Sequence, residues 1–291
     1  KIIYNNPAIL YTMKLNPYLA IIFAATIGGS SGVFIKLLNL TSTSITFFRV
    51  FIPVILLLAY FSWKKIKLFQ GNYKIMLIAS GLNAARMFLY FFAYLYTSIG
   101  NAVIILFTWP IFATIFSAVF LKEKVSKKTA SLIGVAFLGI IIMYMNKEIS
   151  FGNKDFIGTA AMLLSAIIFS ITAVIFKKEL KNYTKTETIF YQNLVGAIVF
   201  LPFIFINKPI PTIAQTGVAS LYGFLVGIVA FLLFFFALKK LIMSHYSLFT
   251  YWEVPAALIF SAIFFKEVIT LNMIIGGGLI LVAGLLLRKE K

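Results

Sequence analysis

The chain has 291 residues and no cysteine, one histidine (His245) and one aspartate (Asp155). Without thiols there is no disulfide framework, haem-attachment motif or thiolate metal site to read. HExxH, paired aspartates and Cys/His clusters are also missing, and the one GxSxG string, Gly28 to Gly32, lies inside an apolar span, so no motif of metal-assisted or nucleophilic hydrolysis stands in its usual setting. No G-x-x-x-x-G-K-[ST] loop occurs, so any uphill work would draw on an ion gradient or a partner. Charge is scarce too, at 12% of residues, with only 8 acidic side chains. A soluble domain of this length needs far more polar surface. The expectation is neither an enzyme nor a cofactor or metal carrier.

What the chain has is apolar length. Hydrophobic residues make up 62%, and the mean hydropathy is +1.01. Blocks such as LYGFLVGIVAFLLFFFAL (221–238) match a hydrocarbon core of ~30 Å at ~1.5 Å rise per residue. Ten spans are read at about 17–38, 42–63, 74–97, 99–121, 127–145, 157–176, 186–206, 215–238, 243–265 and 270–287. The run after Met13-Lys14 has the basic and apolar parts of a signal peptide. It continues through Val33-Phe34-Ile35 without an A-x-A site, and is read as a retained span. Residues 1–12 are read as an upstream extension.

The net charge of +18 could suggest nucleic acid, but its placement gives topology instead. With a cytoplasmic N-terminus, 19 lysines and arginines fall on that side. Five fall outside: Lys36, Lys147, Lys154, Lys208 and Lys266. The positive-inside rule sets both termini in the cytoplasm. The expected partners are a lipid bilayer and a small molecule, with no nucleic acid.

Residues 116–126 (FSAVFLKEKVS) and 260–270 (FSAIFFKEVIT) repeat one phrase 144 positions apart. Pro110 and Pro255 precede the paired Glu123 and Glu267 by 13 and 12 residues, and Gly134 and Gly278 follow them by 11. Trp109 and Trp252 lie one and three residues before the prolines. The chain therefore divides into an extension (1–16), a first repeat of five helices (17–146), a connector (147–154), a second repeat (155–288) and a tail (289–291). Five is odd, so the second repeat enters the membrane inverted. The charges agree: KEKVSKK in the first half has four lysines, and its twin KEVIT has one. The fold class is an all-α polytopic membrane protein of two inverted five-helix repeats. Such repeats suit alternating access to a central site.

This pattern resembles the drug/metabolite transporter superfamily, in its two-repeat EamA form. The matching features are a proline in the fourth span of each repeat, FSAxFxKE and a Gly-rich final span. The resemblance covers about residues 17–288 and implies ten helices, a central cavity and secondary transport of small metabolites. It implies no particular substrate.

Ionisable groups at mid-depth cost about 2.5–3.5 kcal/mol each on insertion scales and need partners or water. Arg49, Arg86 and Glu253 are such groups. Asn83, Arg86, Tyr90, Tyr94 and Thr97 follow helical spacing, giving one polar face that lines either a cavity or a polar helix interface. Glu253 is the only carboxylate deep in a span, the candidate proton carrier, or else half of a structural pair with an arginine. Trp109 and Trp252 suit a cavity wall or tight packing, and Pro110 and Pro255 bend their helices. Arg49 faces the cavity or a carbonyl, and Gln192 and Asn193 are its weak matches in the other half. His245 is read as interfacial. Gly28 and Gly32 are read as a close-packing GxxxG pair. Glu123 and Glu267 are read as serving the N-terminal ends of the helices that follow.

The function expected is secondary active transport of a small polar metabolite, best an amino acid or similar zwitterion, in the export direction. Arg86, Asn83, Tyr90, Trp109, Trp252, Glu253 and Arg49 would form the site, driven by an ion gradient such as protons. The alternatives are efflux of hydrophobic cations held by Glu253 and the tryptophans, and a structural membrane protein that transports nothing. The expected location is a prokaryotic cytoplasmic membrane.

Overall fold

The computed structural model describes residues 15–97, 99–145, 153–206 and 210–288. The extension through residue 14, most of the connector and the 289–291 tail lie outside them. So do Lys1, Lys14, Lys147, Lys208, Lys289 and Lys291 of the charge asymmetry.

Every regular element among the described residues is helical. In chain order they are α1 (Pro17–Leu38), α2 (Ser42–Lys64), α3 (Tyr73–Tyr94), α4 (Ile99–Leu106 continued by Trp109–Phe120), α5 (Lys127–Tyr144), α6 (Asn153–Glu179), α7 (Lys185–Phe200), α8 (Ile213–Lys240), α9 (Met243–Phe265) and α10 (Leu271–Arg288). Eight of them are long and apolar enough to cross a bilayer. The apolar run of α10 is shorter, Leu271–Leu287, and α7 stops at Phe200, ahead of Pro202 and a single turn at Phe203–Ile206. A proline has no N–H for the ladder and clashes with the preceding turn.

Local sequence sets the helix starts. Thr41 and Ser126 accept the Ser44 and Thr129 N–H groups, and Thr184…Glu187 and Thr212…Gln215 form reciprocal capping boxes. Such caps satisfy donors that have no partner within the helix. Ser126, rather than Glu123, caps α5. Glu123 instead pairs with Lys177 of α6 at 2.6 Å and accepts the Met243 N–H at 2.6 Å. Glu267 pairs with Lys36 of α1 at 3.2 Å. At Glu123 the role expected at the helix that follows gives way to an ion pair between the two halves and to the first N–H of α9.

The packing carries the duplication. Exchanging each helix with the one five places on maps α3–α6 onto α8–α1, α3–α7 onto α8–α2, and α4–α6 onto α9–α1. Three contacts map onto themselves: α2–α7, α4–α9 and α5–α10. In each, the partners run antiparallel. Gly139 of α5 meets Ile280 and Gly276 of α10, and Met143 further along meets Gly276. Val50 of α2 meets Gly196 of α7 while Phe61 meets Phe190. Phe107 of α4 and Glu123, just past its end, meet Tyr251 and Met243 of α9. A helix antiparallel to its own counterpart is the signature of an inverted repeat.

The glycines that make the closest α5–α10 contact are not the repeat-marking Gly134 and Gly278. A Cβ on either of those meets nothing within 4 Å. A Cβ on Gly139 would sit 2.6 Å from the Gly276 carbonyl oxygen. Gly276→Val should therefore lower stability by about 1–3 kcal/mol through overpacking, while Gly278→Ala should hold or raise it. Thermal unfolding of the two purified variants beside the wild type checks the contrast.

Candidate functional site

Three helices are interrupted near their middles, and each interruption is tied off by a hydroxyl. Ser30 Oγ donates to the Ile27 carbonyl at 2.7 Å, Thr108 Oγ1 to Ile105 at 2.6 Å and Thr250 Oγ1 to Ser247 at 2.6 Å. In α8 the ladder widens to a π turn over Leu225–Ala230. Pro110 and Pro255 sit in the first turn of the resumed helices Trp109–Phe120 and Glu253–Phe265, where the N–H groups lack helical partners in any case. The prolines start second half-helices.

The interruptions surround a cavity of about 230 Å³, smaller than the ~300–1,000 Å³ of drug-sized sites. Arg49, Arg86, Tyr90, Trp109 and Glu253 reach its wall. Arg86 is 8% exposed. Its Nε donates to Asn83 Oδ1 at 3.0 Å, and its guanidinium lies 4.0 Å from the Phe169 ring centroid. Asn83 in turn donates to the Gln192 carbonyl at 3.0 Å, and Ser165 Oγ to the Arg86 carbonyl at 2.9 Å. α3, α6 and α7 thus fix this guanidinium. Arg49 is held more loosely, 5.4 Å from the Phe231 ring and 4.0 Å from the Met87 sulfur.

Glu253 feels the charge of both arginines yet touches neither. The side-chain ion pairs among the described residues are Lys36–Glu267 and Lys177–Glu123. The carboxylate lies against Gly28, where an added Cβ would stand 3.0 Å from Oε1. Gly29 makes the close contact between helices, since a Cβ there would meet the Ala257 nitrogen at 2.8 Å. Gly32 faces open space. The expected Gly28–Gly32 packing pair is thereby corrected: Gly28 makes room for a carboxylate, and Gly29 makes room for a helix.

The other expected residues disperse. Asn83 supports Arg86 from behind. Tyr94 stacks edge-on against Tyr90, with centroids 4.9 Å apart, and Thr97 packs on Gly158 where α3 crosses α6. Trp252 lies off the cavity wall. Its Nε1 donates to Thr26 Oγ1 at 2.9 Å, and its ring lines a separate apolar groove of about 140 Å³ with Tyr18, Phe249 and Leu285. Adjacent helical residues diverge by about 100°, so Trp252 and Glu253 do not share a face. Gln192 and Asn193 are buried in α7 away from the cavity, Asn193 donating to Ile189. His245 bonds Tyr18 at the first turn of α9, Nδ1 to hydroxyl 2.8 Å. The sequence reading missed Phe169, which touches both Arg86 and Trp109 (centroids 4.6 Å), and Tyr222 and Tyr246 on the wall. Among 32 phenylalanines and 14 tyrosines, nothing in the sequence marks these three.

Gly29→Ala should lower stability by about 1–3 kcal/mol. Gly28→Ala should leave it unchanged or raise it by up to ~1 kcal/mol through helix propensity, because the Glu253 carboxylate can swing aside. Thermal unfolding of the two variants checks this.

Comparison with known proteins places the chain in context. The model of the EamA-like transporter family matches residues 15–145 and 156–288. An uncharacterized transporter of Archaeoglobus fulgidus is 23% identical over 290 residues, 96% of this chain and 99% of the relative. The pseudopaline exporter CntI of Pseudomonas aeruginosa is 24% identical over 192 residues, 64% of this chain and 66% of the exporter. A solved crystal structure superposes with a TM-score of 0.83 at 14% identity, over 94% of this chain and 99% of that one; at that identity the likeness is one of fold.

Proposed function

The chain belongs to the EamA-like transporter family, and from that premise we propose that it is a secondary active exporter of a small zwitterionic metabolite, best an amino acid, working by alternating access. It is a multi-span membrane protein whose relatives are named as transporters. The observation that carries the finer reading is the cavity wall, where Glu253 and the guanidiniums of Arg86 and Arg49 face one shared space without an ion pair among the described residues. A buried charge left without a counter-ion costs several kcal/mol, and a substrate bearing both signs offsets that cost on both sides. Arg86 would take the carboxylate through a charge-assisted bond, Glu253 the ammonium, and Trp109 with Tyr90 the side group. The antiparallel pairing of equivalent helices supports exchange between two openings.

Ten crossings with both termini in the cytoplasm, a prokaryotic cytoplasmic membrane and proton coupling through Glu253 belong to the same reading. Efflux of hydrophobic cations has less support, because two guanidiniums face the cavity and Trp252 lies off it.

The test is thermal stabilisation of the purified protein by amino acids, followed by counterflow in liposomes. Stabilisation should be lost in Arg86→Ala and in Glu253→Gln. Hits that survive both substitutions would move the substrate site elsewhere.

A further inference from the structure

Resting on the reading of this cavity as a zwitterion site, we propose that the substrate carries a second acidic group, and that Arg49 is the residue that selects for it. The inventory of charge is the argument. Arg86 is buried and fixed, and among the described residues its Nε alone is hydrogen-bonded. Its two terminal nitrogens are left to serve one carboxylate in the parallel geometry guanidinium favours. Arg49 repeats this provision on the cavity wall. It is partly exposed there, with an aromatic ring and a thioether sulfur for neighbours, and neither neighbour neutralises it. Glu253 supplies the single negative charge. A neutral amino acid satisfies Arg86 and Glu253 and leaves Arg49 as an uncompensated cation on the cavity wall. An amine with two acids, such as an aminodicarboxylate, satisfies all three.

Titration calorimetry on the purified protein with glutamate, alanine, lysine and glutarate tests the assignment. Glutamate should bind about tenfold or more tighter than alanine, as one additional charge-assisted contact implies. Arg49→Gln should erase that preference, bringing glutamate and alanine affinities together, and Arg49→Lys should restore part of it. Alanine or lysine binding the wild type as tightly as glutamate, or a preference unchanged in Arg49→Gln, overturns the proposal and leaves the zwitterion reading standing. Glutarate matching glutamate would remove the amine from the substrate. Failure of all four compounds to bind folded protein would defeat the zwitterion reading itself, and this proposal with it.

A different set of residues carries a second inference: the structure assigns Glu123–Lys177 and Lys36–Glu267 as paired latches at opposite ends of the bundle. The glutamates are repeat equivalents, 144 positions apart, and each lysine ends the first helix of the opposite repeat. The Glu123–Lys177 pair is 2.6 Å long, with side chains 16% and 11% exposed; the Lys36–Glu267 pair is 3.2 Å long and over half exposed. Lys177 also donates to the Leu241 carbonyl at 2.7 Å, and Glu123 accepts from Met243, so three segments close on one knot. The cavity runs toward the opposite end, where Ile35 and Ser42 line it. The shorter, less exposed pair holds one mouth shut.

The absence of native cysteine allows a direct assay. Thr250→Cys on the cavity wall is labelled with a membrane-impermeant maleimide, in vesicles of each orientation. Glu123→Gln or Lys177→Gln should raise labelling from the α4–α5 side several-fold, and Lys36→Gln should not. The charge swap Glu123→Lys with Lys177→Glu should return labelling toward the starting level and controls for misfolding. Labelling unchanged in folded variants of both residues overturns the assignment.

Discussion

In hydrocarbon no water is available to take up a free peptide N–H or C=O, and each one left over costs several kcal/mol. That constraint governs where this protein can depart from straight helix. The departures at Ser30, Thr108, Thr250 and the π turn of α8 gather around a single cavity. At each of the first three, a hydroxyl caps a carbonyl one turn back. The same interruptions deliver Glu253 and Trp109 to the wall as first residues of resumed helices. Backbone economy and site construction are one problem here, solved with small hydroxyl residues.

The two halves are alike in packing and unlike in chemistry. At an offset of 144 the counterpart of Trp109 is Glu253, so one half contributes an aromatic plate and the other a carboxylate at equivalent stations. Arg49 and Arg86 both come from the first half, while Phe169, which braces Arg86, comes from the second. Duplication supplies the two-fold scaffold, and divergence at a few stations supplies polarity across it.

The fold was largely legible because its signals are long: apolar blocks, a repeat at half the chain length and lysines sorted by loop. Arg49, Arg86 and Glu253 were legible singly because ionisable residues stand out in apolar helix. Their relation was not, since pairing depends on distances that no spacing encodes. Trp252 was misdirected by proximity in sequence, one residue being a large turn of helix. Gly28 and Gly32 fitted a packing motif, yet the crossing with α9 fell on Gly29, because the phase of a helix contact is set by the partner. The hydroxyls that close the interruptions look in sequence like any serine or threonine in a membrane helix.

The unpaired charges on the cavity wall have an electrical consequence. With Glu253 ionised, Arg49, Arg86 and Glu253 sum to one positive charge inside the membrane, where a unit charge crossing the full field is worth about 2.3 kcal/mol per 100 mV. An aminodicarboxylate of net charge −1 cancels it, so the loaded carrier would reorient with little regard to voltage. The empty carrier would bear the charge on its return. Membrane potential would then act on the resetting half of the cycle, and the cell's energisation would set the turnover rate through a step in which no substrate moves.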